Sequence, residues 1–337
     1  MPMATDTQNV DYEADGGCAS TPALSVIITT PDCFDTIRSL VGALHAQTAR
    51  EALELVIVAP AAASIPAAEL DGFICWQVVE MPNITSVAQA KAAGIRRARA
   101  PVVVLTEDHS FPAPDWAAAL IEAHRRGWAV VGPAMCNANP DSYISWADFI
   151  IGYGPWFEPP AGGETDELPG HNTSYRRDLL LGCGARLEAL LGAEPVLHRQ
   201  LRASGYRLYL EPAAKTAHLN FTDLARWIPY LFHSARLFAA QRASNWPLSR
   251  RALYSAGAPL IPLVRLKRLW PAAMRTQAGF APRLYAALVF ALIIDAAGQC
   301  VGYAAGAGPA AQHLAHLEYH RDRRSLHFAP RAAQSQP

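Results

Sequence analysis

The stretch that decides the fold is Val102-Val-Val-Leu-Thr-Glu-Asp-His-Ser-Phe-Pro-Ala-Pro-Asp-Trp116. Its first four residues are purely apolar and mostly β-branched, which predicts a strand buried on both faces. The chain then turns polar through Thr106-Glu-Asp-His109, and Asp115 sits where a helix over Asp115 to Arg126 would begin. Two carboxylates and an imidazole at a strand's carboxyl end suit a divalent cation. A polar turn that merely caps the sheet accounts for the same residues.

Upstream the same alternation repeats. Leu24-Ser-Val-Ile-Ile-Thr29 reads as a strand, Thr36 to Ala49 as a helix, Leu53-Glu-Leu-Val-Ile-Val58 as a strand, Trp76 to Glu80 as a strand and Ser86 to Arg99 as a helix. Strands alternating with helices imply an α/β fold with βαβ units and a mainly parallel sheet with flanking helices. Ligands of such sheets bind beyond the carboxyl ends of the strands, here Thr29–Asp32, Ala59–Ser64 and Thr106–Ser110. Downstream, residues 137–172 are rich in Gly, Pro, Trp and Tyr. That composition predicts a long substrate-covering loop.

Of 337 residues, 51% are hydrophobic and 17% charged, with a formal net charge of zero. A sizeable core is possible, and the balance argues against a dedicated nucleic-acid binder. Six widely spaced cysteines without a C-x-x-C pair argue against a zinc cluster or a disulfide framework and for a reducing compartment. Residues 1–22 are acidic, lack the marks of a signal peptide and read as a disordered tail. From Arg250 to Arg283 there are seven basic residues and no acidic one, bordered by the apolar stretches Ala252–Val264 and Leu284–Ile294. Neither stretch reaches the ~18 apolar residues of a spanning helix. The pattern instead fits a helical region, 246–312, lying on an anionic membrane surface, or a solvated basic face beside an ordinary helical core. Residues 313–337 read as a frayed helix and tail.

Two further candidates stand alone weakly. Glu194, at the start of an amphipathic helix, is either a general base or an acid favoured by the helix terminus. His218 follows the strand Tyr206 to Pro212, and a lone His is more often structural.

Order and spacing taken together resemble family 2 glycosyltransferases of the GT-A fold, from about Ala23 to Asn220. The resemblance is carried by Leu24–Thr30 with Leu40 to Gln47, by Val87-Ala-Gln-Ala-Lys-Ala-Ala-Gly-Ile95, by Glu107-Asp108-His109 counted back from Pro112-Ala-Pro-Asp-Trp116, by His171-Asn-Thr-Ser-Tyr-Arg-Arg177, and by the helix ending in Leu201. It implies a GT-A domain over 23–245, a Rossmann-like sheet, and an inverting hexosyltransferase-like enzyme using a nucleotide-sugar donor with Mn2+ or Mg2+. The residues it assigns to the donor are Thr29, Thr30, Asp32, Lys91, Glu107 and Asp108. It assigns His109, Asp108 and His218 to the metal, and His171, Asn172, Arg176 and Arg177 to the acceptor loop. Glu194 becomes the base. The basic, apolar C-terminal region adds a glycan or lipid-linked acceptor, cell-surface polysaccharide synthesis, and work at the inner face of the cell membrane.

The sequence departs from the family where the second strand ends in Val58-Ala-Pro60 without an Asp, and where the metal motif is Glu-Asp-His. A catalytically silent protein of the same fold, binding a nucleotide sugar or a partner at the membrane, is the alternative. A nucleotidyltransferase lacks its Gly-rich basic loop here, and no strand is followed by the G-x-G-x-x-G of a dinucleotide-dependent oxidoreductase. Asp223-Leu-Ala-Arg-Trp227 is faintly similar to the Arg-Trp element of processive synthases.

Overall fold

The apolar runs form strands buried on both faces in the computed structural model, which describes residues 12–18, 20–157, 161–276 and 281–319. Alternate residues feed opposite layers. Val26, Ile28, Leu55, Ile57 and Val104 pack on one side against helices α1 (Phe34–His45) and α3 (Trp116–Arg125). Ile27, Val56, Val58, Val103 and Leu105 pack on the other against α2 (Val87–Arg97). Each such side chain contributes about 1.5–3 kcal/mol by leaving water. Gly94 lets α2 lie close to the sheet, since a Cβ there would stand 2.7 Å from Ile27 Cγ2. Ser86 caps α2 by accepting the Gln89 N–H at 3.1 Å.

Among the described residues the ten strands are β1 (Tyr12–Asp15), β2 (Leu24–Thr29), β3 (Leu53–Ala59), β4 (Cys75–Glu80), β5 (Val102–Leu105), β6 (Ser110–Pro112), β7 (Val130–Asn137), β8 (Gly163–Thr165), β9 (Ser174–Arg176) and β10 (Leu208–His218). They form one sheet in the order β1-β4-β3-β2-β5-β9-β7-β10-β6, with β8 also on β10. The pairs β4–β3, β3–β2, β2–β5 and β7–β10 are parallel, and the short strands between and beside them are antiparallel.

Helices α4 (Tyr143–Tyr153), α6 (Leu187–Leu191) and α7 (Glu194–Ala203) contribute to the cavity beyond the strand ends, and α5 (Arg177–Leu181) begins beside the start of β5. A helical layer follows: α8 (Leu224–Arg242), α9 (Leu248–Gly257), α10 (Ile261–Arg275), α11 (Ala281–Ala305) and α12 (Ala310–Tyr319). It begins with α8, some twenty residues before the boundary at 246 read from composition. Trp227 is fully buried and ties α8 to α4 by donating Nε1–H to Asp148 at 2.6 Å. That indole is therefore a structural anchor.

Four expectations need correction. The acidic stretch read as a disordered tail contains β1, which pairs with β4 because the sheet edge offers unpaired backbone groups; residues 1–11 lie outside the described residues. Cys18 and Cys75 are joined as a disulfide, their Cα atoms 4.9 Å apart, because β1 leads its following loop back across β4. The stretch 137–172 is not one loop, since α4 and β8 form within it. Its aromatics are a core: Phe149 is buried, with Trp146 and Phe157 edge-on to it. Finally, α11 is 25 residues long and apolar enough to cross a membrane by length and composition. Counting uninterrupted apolar residues stopped at Asp295, but that carboxylate is neutralised by Arg265 at 2.7 Å and bonded by Gln299 at 2.8 Å. Of the expected C-terminal tail, residues 320–337 lie outside the described residues.

Within the layer, α11 lies against α8 through Gly298 and Gly302, one helical turn apart. A Cβ at either would collide with a carbonyl oxygen of α8, that of Phe232 or Arg236. Gly298→Leu is therefore expected to force the helices apart and destabilise the protein by about 1–3 kcal/mol or more. Thermal unfolding of the full chain checks this, and an unchanged midpoint would refute the close approach.

Candidate active site

Sheet pairing, rather than proximity in sequence, assembles the polar centre. Glu107 and His109 leave β5 and enter β6, and β6 pairs antiparallel with the end of β10, setting His218 opposite Ser110. Strand β9 runs antiparallel along β5, and the Asn172 N–H donates to Leu105 O at 2.7 Å, which delivers His171 to the same place. Asn172 turns the chain there with φ +62° and holds Ser110 Oγ at 3.1 Å through its amide.

Glu107 sits in the middle. His171 Nδ1 lies 3.0 Å from its Oε1 and His218 Nε2 3.5 Å from its Oε2, while His109 Nε2 is 3.8 Å from Oε1. Ser110 and Tyr153 hydroxyls each donate to Oε2 at 3.3 Å. Burial alone would push the Glu107 carboxyl up, but the His171 and His109 imidazoles outweigh it and hold the group well below the usual carboxylate range. Burial pulls His171 down, and the Glu107 carboxylate more than offsets this, leaving its pKa above the ordinary imidazole value.

The tautomers of the two remaining histidines follow from their partners. His109 Nδ1 is 2.6 Å from Asp108 Oδ1, and His218 Nδ1 is 2.7 Å from Asn220 Oδ1. Each Nδ1 has an oxygen to accept its proton, so with a cation in the cluster each Nε2 would turn a lone pair to the ion. The ligand atoms of Glu107, His109 and His218 all lie within 4.8 Å of one another. Two neutral imidazoles and one carboxylate, with outer acceptors fixing the rings, fit a borderline divalent cation. Asp108 is not in this group of three, and its Oδ1 faces the His109 ring.

Glu194 opens α7 and its carboxylate lies against Gly170, where a Cβ would stand 3.0 Å from Oε2. Lys91 reaches in from α2, fully buried. Its Nζ is 3.7 Å from Glu194 Oε1 and 2.9 Å from His171 Nδ1. That ring nitrogen serves one neighbour at a time: protonated, it donates to Glu107; bare, it accepts from Lys91. The two carboxylates thus flank a lysine and an imidazole.

One cavity of about 1380 Å3 takes in Thr29, Lys91, Glu107, Asp108, His109, His171, Glu194 and His218. The other expected site residues do not line it. Thr30 bonds Cys33 O and Thr36 Oγ1 within the turn after β2, and Asp32 is exposed there. Arg176 pairs with Asp178 at 2.6 Å, and Arg177 donates to the carbonyls of Ile95 and Arg96 at the end of α2. Tyr153 and Arg199 line the cavity and were missed. Tyr153 lay in the stretch read as a loop; Arg199 is one Arg on a helix of several basic residues, and nothing in its spacing marks it.

A sheet of this order, with its polar centre beyond the carboxyl ends of β2 and β5, has the arrangement of the GT-A fold. Residues 25–181 match the family model described as Glycosyl transferase family 2. Among solved structures, the mannosyltransferase PcManGT from Pyrobaculum calidifontis, in complex with GDP-Man and Mn2+, is similar with a TM-score of 0.52 at 17% identity, over 83% of this chain and 88% of that one. TarS of S. aureus is similar with a TM-score of 0.41 at 15% identity, over 82% of this chain and 54% of that one. No curated protein matches the sequence.

Proposed function

We propose that the protein is an inverting glycosyltransferase that moves a sugar from a nucleotide-diphosphate sugar to a hydroxyl group, with Glu194 as base and a divalent ion held by Glu107, His109 and His218. The observation that carries this reading is that the three ligand groups and Glu194 face one cavity at the strand ends. The nucleotide would lie over Thr29 and the start of α2, where Ser86, Val87 and Ala88 also line the cavity. An ion at the cluster, Mn2+ or Mg2+, would supply positive charge to the departing diphosphate.

The chain's own residues do the rest. Glu194 takes the acceptor's proton as its oxygen bonds to the anomeric carbon from the face opposite the leaving group. The bond from that carbon to the diphosphate oxygen breaks, and the nucleoside diphosphate leaves with the electron pair. Attack from the opposite face inverts the configuration. Lys91 holds the Glu194 carboxylate in place, and Tyr153 and Ser110 do the same for Glu107.

The Pyrobaculum enzyme carries GDP-Man and Mn2+, so GDP-mannose heads the donors to test. Release of nucleoside diphosphate from a panel of GDP-, UDP- and TDP-sugars is expected from one donor class, and only with Mn2+ or Mg2+ present. Nucleotide binding without release, with a range of acceptors supplied, would favour the silent binding protein. The end of β3 at Ala59-Pro60, without an acidic residue, is what supports that second reading.

A further inference from the structure

The cavity does not stop at the catalytic centre. It continues between α7, α8, α9, α10 and α12, where Leu231, Phe238, Leu253, Ile261 and Leu314 make its wall apolar. A nucleotide sugar has no use for such an arm. Where the polar and apolar parts meet stands Arg199, on the same helix as Glu194 and five residues further on, about 7.5 Å along the axis. The other arginines lining this part are engaged: Arg242 with the Tyr303 hydroxyl at 3.1 Å, Arg265 with Asp295, and Arg268 with Glu167. Arg199 has neither a hydrogen bond nor an ion pair among the described residues. Arg199 is solvent-accessible; partial desolvation first, and the neighbouring Arg242 second, lower its pKa from the ordinary guanidinium value, against the opposing pull of Glu167.

The outer wall of the arm is also unusual. On α10, Leu263, Lys267, Trp270 and Met274 fall at i, i+4, i+7 and i+11, so they form one stripe, and all four are exposed. Leu263 is 69% and Met274 58% accessible, values foreign to an apolar stripe facing water. Leu248, Leu253 and Leu260 extend the exposed apolar surface onto α9 and the turn before α10. Of the basic residues from Arg250 to Arg283, Arg265 and Arg268 pair with Asp295 and Glu167, while Arg250, Lys267 and Arg283 are exposed. Apolar side chains rimmed by positive charge complement an anionic bilayer, the character of a cytoplasmic leaflet.

We propose that the acceptor is a membrane lipid with a phosphate-type anionic head, taken from an anionic bilayer resting on α9 and α10, with its phosphate at Arg199 and its hydrocarbon chain in the apolar arm. The spacing along α7 then sets the reacting hydroxyl a few ångströms headward of the phosphate, at Glu194. This rests on the glycosyl-transfer reading above and narrows its acceptor to a lipid.

The test sediments the full chain, with Mn2+, on phosphatidylcholine vesicles that carry hexadecyl phosphate, hexadecanol or neither. Retention on hexadecyl phosphate is expected to exceed the other two by roughly tenfold or more. Leu263→Glu combined with Met274→Glu, both outside the cavity, is expected to reduce it by at least about tenfold. Arg199→Ala leaves the outer face intact and is expected to weaken retention by about tenfold, with Arg199→Lys restoring most of it. Equal retention on all three vesicles overturns the proposal, and so does an Arg199→Ala protein that binds as the wild type does. Calorimetric titration of GDP and UDP into the same samples separates the two readings. Nucleotide binding without vesicle binding sinks the lipid acceptor alone, whereas absence of nucleotide binding sinks the transferase reading itself.

Discussion

Glu194→Gln is expected to lower transfer by about 10²–10⁴-fold while GDP or UDP and Mn2+ still bind. The substitution keeps the side chain's length and its fit against Gly170, and removes only the capacity to take a proton. A carboxylate at this place has few other uses. Among the described residues its ion-pair partner is Lys91, and the Glu107 cluster holds its own set of partners. Its position at the first residue of α7 would be explained by the helix dipole alone, but the dipole is satisfied equally by a Glu pointing into solvent. Here the side chain turns inward to a buried lysine. The loss of charge leaves that lysine beside His171 without its carboxylate, so a drop in stability accompanies the substitution. Comparing rates at a temperature where both proteins are folded, by thermal unfolding of the same samples, keeps the two effects apart. Full transfer activity with intact metal binding would show that another group accepts the proton.

The sheet's parallel half was legible because its physics is local. Each of Leu24–Thr29, Leu53–Val58 and Val102–Leu105 is an apolar run flanked by breakers, and the strands formed there to within a residue. Strands β6, β8 and β9 are three residues each, too short to carry a period, and they exist because longer neighbours offer them hydrogen bonds. The candidate site divides in the same way. Glu107 and His109 could be found because they follow a strand directly. His218 could be placed near the metal only by resemblance, since the pairing of β6 with β10 that brings it to His109 leaves no mark in the spacing of residues. Arg176 and Arg177 drew attention as charges in a recognisable loop, yet charge says nothing of direction: one guanidinium turns to Asp178 and the other caps α2. The full length of α11 was hidden for a similar reason. Asp295 broke the apolar run in the sequence, while its partner Arg265 came from another helix.

Replacing His109 or His218 by Ala is expected to reduce Mn2+ affinity by more than about 100-fold, and Asp108→Ala by about 10–100-fold. The difference tests the roles read from the geometry. Asp108 stands 2.6 Å from His109 Nδ1, so its removal leaves both imidazoles and the Glu107 carboxylate in the cluster but frees the His109 ring to rotate and to take its other tautomer. A ligand contributes the bond itself; an orienting carboxylate contributes the ring's direction and basicity. Asn220→Ala, which removes the acceptor at His218 Nδ1, is expected to fall in the smaller class with Asp108→Ala. Titration calorimetry with Mn2+, made without any nucleotide so that a bound diphosphate cannot lend oxygens, reads these affinities directly. Were Asp108→Ala to cost as much as His109→Ala, Asp108 would be a ligand as the sequence motif suggested. Were neither imidazole to matter, the cluster would be a hydrogen-bonded polar core around Glu107, already served by Ser110 and Tyr153, and the charge that steadies a departing diphosphate would have to come from Lys91 and His171 instead.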